Sequence, residues 1–165
     1  MIRTEKNSIK IWKIIFGIYL LILLKLIVFK YPWQSLAEIA KNWEKDVILQ
    51  GVSSGNFILG KSIRLYIRYF HKFSFWNGFA NLVGNVLVFI PYGFLLPKTY
   101  PSCGKWWRAV YCAVGFAMSI ELFQLVSGFG RFDVDDILLN CLGAVCGYLI
   151  YVFCHRRRQR KGKDY

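Results

Sequence analysis

Four apolar runs, Ile11 to Phe29, Gly78 to Leu96, Trp106 to Ser127 and Ile137 to Cys154, constrain this chain more than any other feature. A helix that crosses a bilayer needs about 20 mostly apolar residues, and each run has roughly that length. The 165 residues are 56% hydrophobic and 18% aromatic, with a mean hydropathy of +0.37. That composition is unusual for a water-soluble domain. The expectation is an all-α integral membrane protein with about four transmembrane helices. Residues 1–155 form one transmembrane domain on this reading, and 156–165 a basic, disordered cytoplasmic tail.

The net charge of +13 invites a nucleic-acid reading, but its distribution argues for a membrane. Arg3, Lys6, Lys10 and Lys13 precede or open the first run, Lys98, Lys105 and Arg108 lie between the second and third, and Arg156, Arg157, Arg158, Arg160, Lys161 and Lys163 follow the fourth. All face the cytoplasm if both termini are inside, as the positive-inside rule favours. Basic residues at helix ends also attract anionic lipid, so the expected partners are membrane lipids and not nucleic acid. A cleaved signal peptide is the other reading of the first run, with Ser35 and Ala37 near a cut. The run is long for a signal core, which favours a retained helix. The five cysteines form no CxxC pair and most sit in apolar runs, so neither a metal site nor a cofactor is read.

Between the first and second runs, Lys61, Arg64, Arg68 and Lys72 recur at helical spacing, while Ile63, Tyr66, Ile67, Phe70 and Phe73 take the other side. This predicts an amphipathic helix, lying in the outer interface or packed on the end of the bundle. Tyr31, Trp33, Trp106 and Trp107 stand where aromatic belts anchor helix ends. Pro91 in the second run frees the carbonyl of Leu87 and predicts a kink. Gly143 and Gly147 form a GxxxG pair that lets a neighbouring helix come close.

The polar residues within the runs share one level. At about 1.5 Å per residue, Lys25 lies roughly 6 Å and Glu121 roughly 9 Å from the outer membrane boundary. Asn77, Asn81 and Asn85 descend the second helix as one stripe. Glu121 and Gln124 share a face of the third, and Asp133, Asp136 and Asn140 share one on the fourth. A charged side chain at a helix centre costs on the order of 2.5–3.5 kcal/mol, so such groups face partners or a water-filled cavity. The candidate site is Asn81, Asn85, Glu121, Gln124, Arg131, Asp133, Asp136 and Asn140, with Arg131 or Lys25 neutralising Glu121 and Asp136. Plainer roles stand beside this one: asparagines as interhelical glue, Lys25 snorkelling to the surface, and Asp133 and Asp135 capping the fourth helix.

The stretches "NLVGNVLVFIPYGFLLP" (81–97), "ELFQ" (121–124) and "GRFDVDDILLNCLGAVCGY" (130–148) resemble the VanZ-like family of small bacterial membrane proteins. Family members are named for an accessory protein that raises resistance to the glycopeptide teicoplanin. The resemblance implies a multi-pass cell-envelope protein of the bacterial plasma membrane, with Asn81, Asn85, Pro91, Glu121, Gln124, Arg131, Asp133, Asp136 and Asn140 at the motif positions. It supplies no catalytic scheme. The first functional reading is an envelope protein that binds a lipid-linked precursor, or the glycopeptide, at the outer polar site. The second is a membrane-embedded enzyme with Glu121 or Asp136 as acid or base on a lipid-linked substrate. A transporter is a third, on the weak parallel between "NLVGN" and "DILLN". The oligomeric state is not legible.

Overall fold

All four apolar runs become helices; the second and fourth extend beyond their hydropathic limits at both ends, and the third matches its helix to the residue. The computed structural model describes residues 2–27, 45–69 and 75–161, together with 37 and 41. Its helices are α1 (Ile2–Ile27), α2 (Lys45–Ser54), α3 (Lys61–Tyr69), α4 (Phe75–Thr99), α5 (Trp106–Ser127) and α6 (Val134–Lys161), with a short 3-10 turn at Pro101–Gly104. Much of the segment expected to lie outside the bundle, including Phe70, Lys72 and Phe73, falls outside the described residues. So do the side chains of Asn77 and Asn81.

The protein is an all-α integral membrane protein. Three helices are long and apolar enough to cross a membrane, over Leu82–Thr99, Trp106–Ser127 and Val134–Arg157. The remaining expected span is α1, which has 26 residues but carries Lys10, Lys13 and Lys25 along its length. It runs antiparallel to α4: the Tyr19 hydroxyl donates to the Val88 carbonyl at 2.7 Å, and the Thr99 hydroxyl donates to the Trp12 carbonyl at 3.3 Å. Phe16 and Leu23 of α1 are buried in a core with Phe89, Tyr92, Leu95 and Leu96 of α4. Large apolar side chains also cover the outside, among them Ile14, Leu21, Tyr111, Met118, Leu149 and Phe153. That is the surface expected of a bundle solvated by lipid.

The closest approach joins α4 to α6, which run parallel. A methyl group built on Gly143 would overlap the Val86 carbonyl, one on Gly147 the Ile90 carbonyl, and one on Gly93 the Ala144 carbonyl. The GxxxG pair thus meets α4 backbone directly, and Gly93 is its counterpart on the facing helix. On α5 the buried residues Ala109, Ala113, Ala117, Ile120, Glu121 and Gln124 form one stripe, apolar for most of its length and polar at its last turns. The helix stops at Gly128, whose φ of 72° is left-handed and whose N–H donates to the Gln124 carbonyl. Glycine takes that conformation at least cost.

The two ends of the bundle differ in chemistry. Ser8 and Trp12 of α1 share a groove with Pro97 and Lys98 of α4 and with Cys154 and His155 of α6, so the first and last helices have their chain ends on the same side. Lysines of α1 and α4 meet there, with Lys13 over the Tyr100 ring at 5.9 Å and Lys98 over the Trp12 ring at 4.1 Å. One expectation changes: residues 156–161 are not a disordered tail but continue α6. Basic side chains suit the negative end of a helix dipole, and Arg157 also lies over the Phe153 ring at 4.5 Å.

Substituting Gly147→Ala should lower stability by about 1–3 kcal/mol, the range for overpacking against backbone that cannot yield. Gly115→Ala, in open space on the exposed side of α5, should be neutral or slightly stabilising. Thermal unfolding of both variants in one detergent checks the pair.

Candidate functional site

Carboxylates gather at the end of the bundle opposite the basic one. The turn after α5, residues 128–133, returns the chain so that the Asp133 N–H donates to Glu121 Oε2 at 2.9 Å. Glu121 is only 1% exposed. Asp133 then caps α6, accepting the Asp135 N–H at 2.8 Å, the local role that its sequence position predicts. Asp136, in the first turn of α6, accepts from the Asn85 side-chain amide of α4 at 2.7 Å.

Asp135 caps a different helix from its own. Its carboxylate accepts the N–H groups of Gly60 at 2.5 Å, Ser62 at 2.8 Å and Ile63 at 3.2 Å, which open α3. The side chain is fully buried. Asn56 completes the junction: its N–H donates to the Phe132 carbonyl at 2.7 Å and its carbonyl accepts the Val134 N–H at 3.0 Å, a single parallel bridge between distant segments. The Asn56 side-chain amide reaches Asp133 at 2.8 Å and the Ser62 hydroxyl at 3.1 Å, and that hydroxyl donates to Asp133. Phe57 stacks on Phe132 with ring centroids 4.9 Å apart.

The amino ends of α3 and α6 therefore meet two neighbouring carboxylates, Asp135 and Asp133 respectively. Each helix end carries partial positive charge from its unpaired N–H groups, and an anion there is favoured by about 0.3–1 kcal/mol, more when partly buried. Amides and a hydroxyl supply the donors to Asp133 and Asp135. Arg131 and Lys25, expected to neutralise Glu121 and Asp136, are both exposed.

Of the residues expected to form one site, Asn85 and Asp136 are bonded to each other, and Glu121 and Asp133 meet through a backbone N–H. Gln124 is buried one turn beyond Glu121, with Gly130 closely packed against it. The side chain of Asn81 lies outside the described residues. Asn140 is 1% exposed, and among the described residues its Oδ1 has no hydrogen-bond partner. It follows Asp136 by one turn on α6 and precedes Gly143 by another, which puts an unpaired acceptor between the polar end and the tight α4–α6 contact.

Sequence reasoning missed Asn56, Gly60 and Ser62 as partners of the acidic turn. They lie more than 70 positions away from Asp133 and Asp135. The local signal was the glycine and asparagine punctuation of "SSGNFILG" before a helix, which marks a turn but not its partner.

Comparison with known proteins places this architecture. A family model described as VanZ/LLP1 matches residues 16–155. Protein VanZ of Enterococcus faecium is 25% identical over 92 residues. The aligned part is 56% of this chain and 56% of that relative, so the chain spans little more than half the relative's length. No solved structure matches.

Asp135→Asn turns an amide NH2 toward N–H donors and should cost about 1–3 kcal/mol. Trypsin should then cut faster at Lys61, Arg64 and Arg68. Arg131→Gln, at an exposed position, should stay within about 0.5 kcal/mol of the parent and leave cleavage unchanged. Thermal unfolding and timed proteolysis in detergent check both.

Proposed function

Because this chain belongs to the VanZ/LLP1 family, we propose that it modulates tolerance to glycopeptide antibiotics of the teicoplanin type from the bacterial plasma membrane. The family match over residues 16–155 is the observation that carries this reading. Its orientation follows from charge: the basic end faces the cytoplasm under the positive-inside rule, with both termini there, and the carboxylate end faces outward. Glycopeptides act outside the cytoplasmic membrane, on the side where this reading puts the polar residues.

The ligand is an envelope molecule or lipid-linked precursor rich in hydroxyl and amide donors. Asn140 supports that chemistry, since a buried carbonyl oxygen without a partner favours an incoming N–H or O–H. Asn85, Glu121, Gln124 and Asp136 lie at the same end of the bundle. Asp133 and Asp135, engaged with α3 and the turn before it, hold the frame on which these residues are mounted.

The test is teicoplanin susceptibility in a sensitive Gram-positive host expressing the protein, with membrane abundance matched by blotting. Wild type should raise the inhibitory concentration severalfold, and Glu121→Gln, Asp136→Asn and Asn140→Leu should each lose most of that rise. Asn140→Leu is the most telling variant. Replacing a buried amide whose oxygen has no partner among the described residues by an apolar side chain of similar size should leave stability unchanged or higher, so a loss of tolerance there reports function. Equal tolerance in all variants would reduce the polar residues to structural glue.

A further inference from the structure

The helix held by Asp135 carries a groove that neither the family match nor the polar site accounts for. Ile58, Leu59, Lys61, Arg64, Leu65 and Arg68 line about 360 Å³ along the flank of α3 and the turn before it. Lys61, Arg64 and Arg68 are spaced at three and four residues and share a face. All three are exposed, as are Ile58, Leu59 and Leu65. Among the described residues, the lining thus holds three cations and three apolar side chains and no carboxylate.

The groove's level in the membrane is set by its anchor. Asp135 is the second residue of α6, at the very start of the apolar stretch Val134–Arg157, and it binds the N–H groups of Gly60, Ser62 and Ile63. The first turn of α3 is thereby fixed to the first turn of a spanning helix, where bilayer hydrocarbon gives way to headgroups. Because Asp135 already occupies the N–H groups at the start of α3, an anion is left to bind along the flank, where the cations are.

We infer that this groove binds the headgroup of an anionic glycerophospholipid of the surrounding leaflet, its phosphate against Arg64 and Arg68 and its first acyl methylenes against Leu59 and Leu65. Arginine suits the phosphate because its planar fork donates two parallel hydrogen bonds. The exposed leucines suit a ligand that is apolar immediately beside its charge. This inference stands apart from the antibiotic role and holds or fails without it.

The test is native mass spectrometry of the full chain in detergent, titrated with phosphatidylglycerol or with phosphatidylcholine of the same acyl chains. Wild type should retain one phosphatidylglycerol about tenfold more tightly than phosphatidylcholine, given the worth of each cation near an anionic headgroup. The double variant Arg64→Gln/Arg68→Gln should lose that preference. Arg156→Gln/Arg157→Gln, which removes cations at the opposite end, should keep it. Both pairs are exposed, so folding survives, and equal thermal unfolding checks this. Equal retention of the two lipids by wild type, an unchanged preference in the Arg64/Arg68 variant, or displacement of phosphatidylglycerol by an equimolar polyprenyl diphosphate would each overturn the assignment.

Discussion

The polar end depends on the helix amino ends and amides that meet its buried carboxylates. A carboxylate at the centre of a membrane helix costs on the order of 2.5–3.5 kcal/mol, and one at the headgroup boundary costs less. Here Asp133 and Asp135 meet the amino ends of two helices, their own and that of α3. Hydrogen bonds to a charged group contribute about 1.5–3 kcal/mol each. The three backbone N–H groups on Asp135 are therefore enough to offset its burial. Arg131, two residues before Asp133, is exposed.

The same contacts organise the rest. By holding α3 against the start of α6, Asp135 ties the segment between the first two spans to the bundle, and the Asn56 bridge fixes its register against Phe132 and Val134. Glu121 closes the turn from within through the Asp133 N–H. Below this layer, the glycines of α6 set the distance to α4 so that Asn85 meets Asp136 while Asn140 keeps an oxygen unpaired among the described residues. The rigid helix pair carries the candidate binding residues, and the acidic turn carries the loop helix and its basic groove.

Much of this was legible in the sequence because it is periodic. The run Trp106–Ser127 is the helix α5 to the residue, since an interfacial tryptophan pair opens it and a glycine closes it. The run Ile137–Cys154 understates α6, because hydropathy registers only the part inside lipid. Asp133 extends the helix at one end by capping, and the arginines extend it at the other by complementing its dipole. The GxxxG pair could be read from spacing, but its partner Gly93 could not, as a single glycine beside a proline has several meanings. Asp135 resisted reading for a different reason: an acidic residue in a first helical turn already has a sufficient local explanation. Its true partners are N–H groups more than 70 residues away, and backbone N–H groups leave no trace in residue identity.

The most direct test of this account is residue-resolved hydrogen exchange of the wild-type protein in nanodiscs, followed at Ser62 and Ile63. If Asp135 clamps the start of α3, those two amides exchange as slowly as interior helix amides such as that of Ala113, although the first N–H groups of a free helix have no partner of their own. Exchange at Ser62 and Ile63 as fast as in an open loop would contradict the clamp, and with it the claim that paired helix ends make the buried acidic turn possible.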